Sequence, residues 1–286
     1  MSKYGRGTFY QFGCNTMREF EVDPENKWFT AVDGVLFSKD LKRLIAYPCA
    51  KGIDTYRVPE GCIYIDSYAF SATGWKKQFE VIKPDGSVEQ VTQSWGTIPR
   101  DSYCGENPLR TVILSNTVIN YSPQEMATLF PTAHFKGINE NMLRSTMYGC
   151  GIERFLVNDD NPLYKNDGDW LLSKDGTKLQ IICEGMKGTH RIPDSVNEIV
   201  DGAASFTGVS LTNEEVKWKT VSGTLGTVAS QFSGLYLIIP PSVTVMSEVT
   251  LFELNCLNKV SNSSVILEEG NPAFIQDPLT GMISRR

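Results

Sequence analysis

Histidine is nearly missing from this chain of 286 residues: only His134 and His190 are present, far apart and in unrelated contexts. The seven cysteines, Cys14, Cys49, Cys62, Cys104, Cys150, Cys183 and Cys256, form no Cys-x-x-Cys pair and are odd in number. That argues against a zinc site and against a closed disulfide framework; the thiols read as small buried hydrophobes. Lys and Arg are scattered along a chain of net charge −6, so no basic stripe exists to track a phosphate backbone, and nucleic acid is not an expected partner. No run approaches the roughly 20 apolar residues that cross a bilayer. The first residues, Met1 to Gly7, lack the apolar stretch of a secretory signal, so the expectation is a soluble chain without export address or membrane insertion. Disorder is not implied either, since 41% of the residues are hydrophobic, enough for a substantial core in one large domain or two.

What is present is self-similarity. Asn26-Lys27-Trp28-Phe29, followed by Ser38-Lys39-Asp40 and Leu44, matches Asn161-Pro162-Leu163-Tyr164, followed by Ser173-Lys174-Asp175 and Leu179. A third, partial copy runs from Asn271-Pro272-Ala273-Phe274 to Met282-Ile283-Ser284. Downstream, Tyr56-Arg57-Val58-Pro59 and His190-Arg191-Ile192-Pro193 share one register with Ile65 and Ile199. Upstream, Phe12-Gly13-Cys14 to Val22 parallels Tyr148-Gly149-Cys150 to Val157. Short apolar strands ending in a turn, Val112 to Val118 and Leu237 to Val243, look like single rungs. Each Ser-Lys-Asp unit predicts a β-hairpin, the second with the favoured Asp175-Gly176 turn. A lone hairpin is marginal in water, and strands this short bury nothing alone, so neighbouring units are expected to stack on a shared core. Hairpin islands are placed at about 26–48, 161–183 and, in part, 271–284. Insertions at about 71–111 and 207–234 match no rung, and Phe79 to Val88, with its Pro84-Asp85-Gly86 turn, is expected to project as a separate hairpin.

Val58-Pro59-Glu60-Gly61 with Ile65 and Ala69-Phe70, and Ile192-Pro193-Asp194-Ser195-Val196 with Ile199, resemble the BspA-like leucine-rich repeats. Gly34 to Asp40 is similar to the hairpin that interrupts such arrays. The resemblance covers about two thirds of the chain. It departs from the pattern at Leu114-Ser115, where the proline step is missing, and at Ala203-Ala204-Ser205-Phe206, which is lengthened. It implies an α/β but β-rich fold, a right-handed leucine-rich-repeat solenoid with β-hairpin insertions, in a single irregular unit over 1–286. It also implies a surface or secreted adhesion and recognition module.

No enzyme constellation emerges. His190 stands where the other copy has Tyr56, and His134 lies in a linker. Gly5-Arg6-Gly7 and Gly149-Cys150-Gly151 lack the strand-to-helix setting of a phosphate loop. Asp159-Asp160-Asn161 and Asp167-Gly168-Asp169 do not supply the ligand spacing calcium needs. No catalytic residue, cofactor or metal is therefore expected. Asn120-Tyr121-Ser122 and Asn262-Ser263-Ser264 fit the glycosylation pattern but carry little weight without an export signal. The expected function is a non-enzymatic protein-binding or adhesion module. Its partner is a protein of a host or an assembly, with a glycan as a second type. The alternative is a structural component of a larger particle such as a virion or surface assembly. Alternation points Arg18, Glu19 and Glu21 outward from Phe20 and Val22, and Glu153 and Arg154 outward from Phe155. With Trp75, Trp95 and Trp218 in or near the insertions, these are the candidate partner-binding residues.

Overall fold

The computed structural model describes residues 17–66, 69–70, 78–82, 88–92, 109–121, 128, 142–146, 152–183, 185–204, 217–219, 225–229, 235–258 and 263–286.

The three recurring asparagines open three hairpins by the same bonds. Asn26 Oδ1 accepts the backbone N–H groups of Trp28 and Phe29 at 2.9 Å each. Asn161 does the same for Leu163 and Tyr164, and Asn271 for Ala273 and Phe274. A side-chain oxygen that accepts from backbone two and three residues on forces a local turn, and this explains the choice of Asn. From the first, β1 (Phe29–Val32), β2 (Val35–Ser38) and β3 (Arg43–Ala46) form an antiparallel meander. The two-residue β1–β2 turn takes positive φ at Asp33 (48°) and Gly34 (72°), as a primed turn requires.

The Ser-Lys-Asp motif is a turn brace. Ser38 Oγ donates to Asp40 at 2.7 Å and accepts from Arg43 N at 3.1 Å. In the second copy Ser173 donates to Asp175 at 2.6 Å and accepts from Lys178 N at 2.9 Å. The lysines close each loop from outside, Lys39 onto Pro24 O and Lys174 onto Asp159 O. The Ser173 hydroxyl, with the N–H and hydroxyl of Thr177, holds the Asp175 carboxyl down at about 2.

After the first hairpin come β4 (Thr55–Arg57) and β5 (Tyr64–Ile65). Strand β5 joins β3 in parallel, completing the order β1-β2-β3-β5. The insertion strands β6 (Gln78–Ile82) and β7 (Val88–Thr92) pair antiparallel, as the Pro-Asp-Gly signal predicts. Then follow β8 (Thr111–Ile113), the short helix α1 (Met142–Thr146) and β9 (Arg154–Leu156). The second hairpin comprises β10 (Tyr164–Asp167), β11 (Trp170–Ser173) and β12 (Lys178–Ile181). It is followed by β13 (Gly188–Arg191), β14 (Glu198–Ile199), β15 (Lys217–Lys219), β16 (Leu225–Ala229), β17 (Leu235–Ile239) and β18 (Val245–Met246). Helix α2 (Glu248–Leu257), β19 (Ser264–Leu267), β20 (Phe274–Gln276) and β21 (Ile283–Arg285) end the described elements.

The expected right-handed leucine-rich-repeat solenoid of α/β class is not what these strands build. They lie in six separate small sheets of two to five strands, with α1 and α2 the helices among the described residues. Among the described residues parallel pairing is confined to short stretches, β4-β8-β9, β13-β17-β19, β3-β5 and β12-β14-β18, and an isolated bridge between Ile182 and Ala204. The physical reason lies at the outer edge of β9. Val157 N donates to Asn166 Oδ1 at 2.8 Å and Asn166 Nδ2 donates to Phe155 O at 2.9 Å. One amide thus takes the backbone groups that a following strand would use. Gln276 closes β19 in the same way, through Leu267 N and Val265 O. Nor do the two insertions project separately: β16 pairs antiparallel with β6, giving one sheet of order β15-β16-β6-β7.

A single buried cluster includes Phe37, Phe70, Phe155, Leu172, Leu237 and Phe274. Tyr47 lies edge-on to Tyr56 at 4.9 Å within it, and burial pushes both phenols well above their ordinary range. Cys49, Cys62 and Cys183 are buried, as small hydrophobes should be, and burial pushes Cys62 up to about 11.

Candidate functional site: the outer faces of the two parallel sheets

In parallel strands paired in register, neighbours project on one side, so each triplet carries its residues in rows. In β4-β8-β9 the row Tyr56, Val112, Phe155 is buried. The outward rows are Thr55, Thr111, Arg154 and Arg57, Ile113, Leu156, with Thr111 itself buried and bonded by Arg154. In β13-β17-β19 the row His190, Leu237, Val265 turns inward, and the outward rows are Thr189, Tyr236, Ser264 and Arg191, Ile238, Ile266.

The second face combines apolar and aromatic side chains with a fixed ionic group. Tyr236 is 40% exposed and Ile266 46%. Arg191 crosses the sheet over the middle strand and grips Glu268 with both arms of its guanidinium, Nε to Oε1 at 2.7 Å and Nη2 to Oε2 at 2.8 Å. Its Nη2 also reaches Asp194 Oδ1 at 2.7 Å. The guanidinium holds both carboxyls below their ordinary values, and they raise that of Arg191 in turn. Such a fork sets geometry more than it adds stability, because the group is at the surface.

The first face repeats this layout with one exchange. Arg57 has the place of Arg191 and likewise spans to the third strand's end, but its Nη1 donates to the neutral Asn158 Oδ1 at 2.9 Å. Around it, Arg154 donates to Thr111 Oγ1 and Asp169 Oδ1 at 3.1 Å each, and Arg110 is paired with Glu153.

Of the candidate residues, Glu153 and Arg154 lie on this first face, each already engaged. Arg18, Glu19 and Glu21 are exposed on the segment covering the first hairpin, where Phe20 and Val22 pack on Leu36, Ile45 and Ala46. No hydrogen bond or ion pair joins them to Glu153 or Arg154 among the described residues. Trp218 is the middle residue of β15; Trp75 and Trp95 lie outside the described residues. Tyr236, Ile266 and the arginines at 57 and 191 escaped the sequence reading. Leu235-Tyr236-Leu237-Ile238-Ile239 is an unbroken apolar run that conceals its alternation, although the Arg-x-Pro recurrence at 57 and 191 was a usable signal. His190 is no free base: its ring meets Trp170 edge-on at 5.9 Å and its Nε2 lies 2.8 Å from Lys187 O. His134 lies outside the described residues. Among the described residues no group of three His, Cys, Asp or Glu could hold a metal ion, and no helix is long and apolar enough to cross a membrane.

No family model matches the chain, and no curated protein matches it. Two solved structures are weakly similar. One, the pneumococcal vaccine antigen PcpA, is 15% identical with a TM-score of 0.31, covering 88% of this chain and 50% of its own, so the chain spans about half of that structure's length. The other, a leucine-rich repeat protein from Eubacterium ventriosum, is 12% identical with a TM-score of 0.26, covering 87% of this chain and 72% of its own. A leucine-rich repeat protein is thus among the neighbours, and neither description specifies the BspA-like type. At such TM-scores the likenesses carry no weight for fold or partner.

Proposed function

We propose that the chain is a non-enzymatic protein-binding module whose contact surfaces are the outward rows of its two parallel sheets. The observation that carries this reading is the face of β13-β17-β19. Tyr236 and Ile266 stand exposed there in register with Thr189 and Ile238, on a rigid sheet and beside a pinned Arg191. Aromatic and aliphatic anchors on rigid elements, rimmed by oriented polar groups, are what protein interfaces use. The recurring polar motifs support the same reading from the opposite side: the side-chain oxygens of Asn26, Asn161 and Asn271 and the Ser-Asp pairs are engaged in turns.

The test is an array of purified extracellular and structural proteins probed with the wild-type chain and with Tyr236→Ser/Ile266→Ser. At least one partner should bind the wild type at micromolar strength or better and lose about tenfold or more, roughly 1.4 kcal/mol, with the double variant. Equal binding of every partner by both proteins would remove this face from the function.

A further inference from the structure

We infer that Arg57 is an open carboxylate-binding fork, and that the outer face of β4-β8-β9 takes an acidic, aliphatic segment of a protein partner. The molecule's own repetition points there. Arg57-Val58-Pro59-Glu60 and Arg191-Ile192-Pro193-Asp194 occupy one register, each arginine on the first strand of its parallel triplet. Asn158 and Glu268 likewise correspond: each lies two residues past the outward apolar residue of the third strand, Leu156 or Ile266. In the second triplet the fork is saturated, with two bonds to Glu268 and one to Asp194. In the first triplet the carboxylate is replaced by an amide, and the Asp194 counterpart faces elsewhere. Glu60 accepts from Asn116 N with both oxygens, at 3.1 and 3.2 Å. Among the described residues Arg57 keeps a single hydrogen bond, the one to Asn158.

An arginine fork matches a carboxylate bidentately, and Glu268 shows within this same chain how one sits there. A partner's Glu or Asp side chain would occupy the corresponding position at Arg57. The other cations of the face do not compete, since Arg110 is paired with Glu153 and Arg154 with Asp169. Ile113 and Leu156, in the same row as Arg57, supply half-buried aliphatic contact next to the fork. An exposed ion pair alone is worth only about 0.2–1 kcal/mol, so the bound segment must add apolar contacts. An extended segment with an acidic and an aliphatic residue two positions apart meets both needs, because residues i and i+2 fall on one face. Asp159 and Asp160 at the rim, the latter bonded to Asn116 Nδ2 at 3.1 Å, repel excess negative charge and favour one or two carboxylates over a polyanion.

This inference rests on the protein-binding reading but on the other sheet, so its variants differ from those that test Tyr236 and Ile266. The probe is a fluorescein-labelled peptide of two Val-Ser-Glu-Ser repeats, titrated at low salt by anisotropy, with two Val-Ser-Lys-Ser repeats as control. The acidic peptide should bind at least tenfold tighter than the basic one. Both Arg57→Gln and Asn158→Glu should weaken it about tenfold, the latter by sealing the fork with an internal carboxylate as Glu268 does. Arg191→Gln should leave binding unchanged. The proposal is overturned if the acidic peptide shows no preference over the basic one, if binding survives Asn158→Glu, or if Arg191→Gln weakens it as much as Arg57→Gln. Asn158→Glu keeps the test sound, since it adds a bond instead of removing one, and circular dichroism matching the wild type verifies its fold.

Discussion

Leu41 occupies a backbone position that its own repeat argues against. It has φ of +59°, in the loop where the second hairpin places Gly176 at +80°. Both donate the same turn bond, Leu41 N to Ser38 O at 2.9 Å and Gly176 N to Ser173 O at 2.8 Å. The left-handed conformation costs a residue with a Cβ roughly 1–2 kcal/mol. In the second copy a Cβ at Gly176 would also run into the end of Lys165, whereas Thr30 stands in the place of Lys165 in the first copy. The Leu41 side chain is exposed, so Leu41→Gly removes little packing. Allowing about 0.5–1 kcal/mol for glycine's extra freedom in the unfolded chain, the variant should be more stable by about 0.5–1 kcal/mol, read as a higher urea midpoint at unchanged m-value. A lower midpoint would mean that Leu41 makes a contact worth more than its strain.

Among the elements, short strands depend on their edges, and three side-chain amides close three of them. Asn166 closes β9 and Gln276 closes β19, each exactly eleven residues beyond the carbonyl it binds. Asn255 on α2 closes β21, accepting from Ile283 N at 2.7 Å and donating to Ile283 O at 2.8 Å. Asn166→Leu would orphan Val157 N and Phe155 O and also remove the bond to Trp170 O, at a cost of about 1–3 kcal/mol. Amide exchange should quicken at Val157 and not at Leu267, whose clasp is Gln276; equal quickening at both would point to general loosening instead. These clasps also mark where the sequence stopped being legible. The hairpins were readable because Asn26, Ser38 and Asp40 act within five residues of themselves. The division into separate sheets was not, since it depends on Asn166 and Gln276, which clasp different elements from a position where the first copy has Ala31. Rung patterns report that short apolar strands exist; they do not report whether neighbouring rungs are allowed to pair. For the candidate site, Glu153 and Arg154 were placed outward by alternation, while Tyr236 and Ile266 were hidden in apolar runs.

For the molecule as a whole, the question is whether the repeated blocks unfold together. Strand β16 of the second insertion pairs with β6 of the first, across well over a hundred residues. The ion pair of Arg144 on α1 and Glu253 on α2 spans 109 residues, with side chains only 14% and 8% exposed. A pair this buried adds little net stability, because desolvating two charges offsets their attraction. Breaking it is another matter: Glu253→Ala takes the carboxylate from beside a largely buried guanidinium, and removing one partner of a buried pair costs about 3–5 kcal/mol. We expect the wild type to unfold in urea in one transition, with tryptophan fluorescence and far-ultraviolet circular dichroism coincident, and Glu253→Ala to lower its midpoint steeply. Arg144→Leu/Glu253→Leu should recover most of that loss, since it removes both charges from the same space. If the wild type instead unfolded in two steps and Glu253→Ala moved only one, the blocks would be separate units, and the pair would serve to orient them.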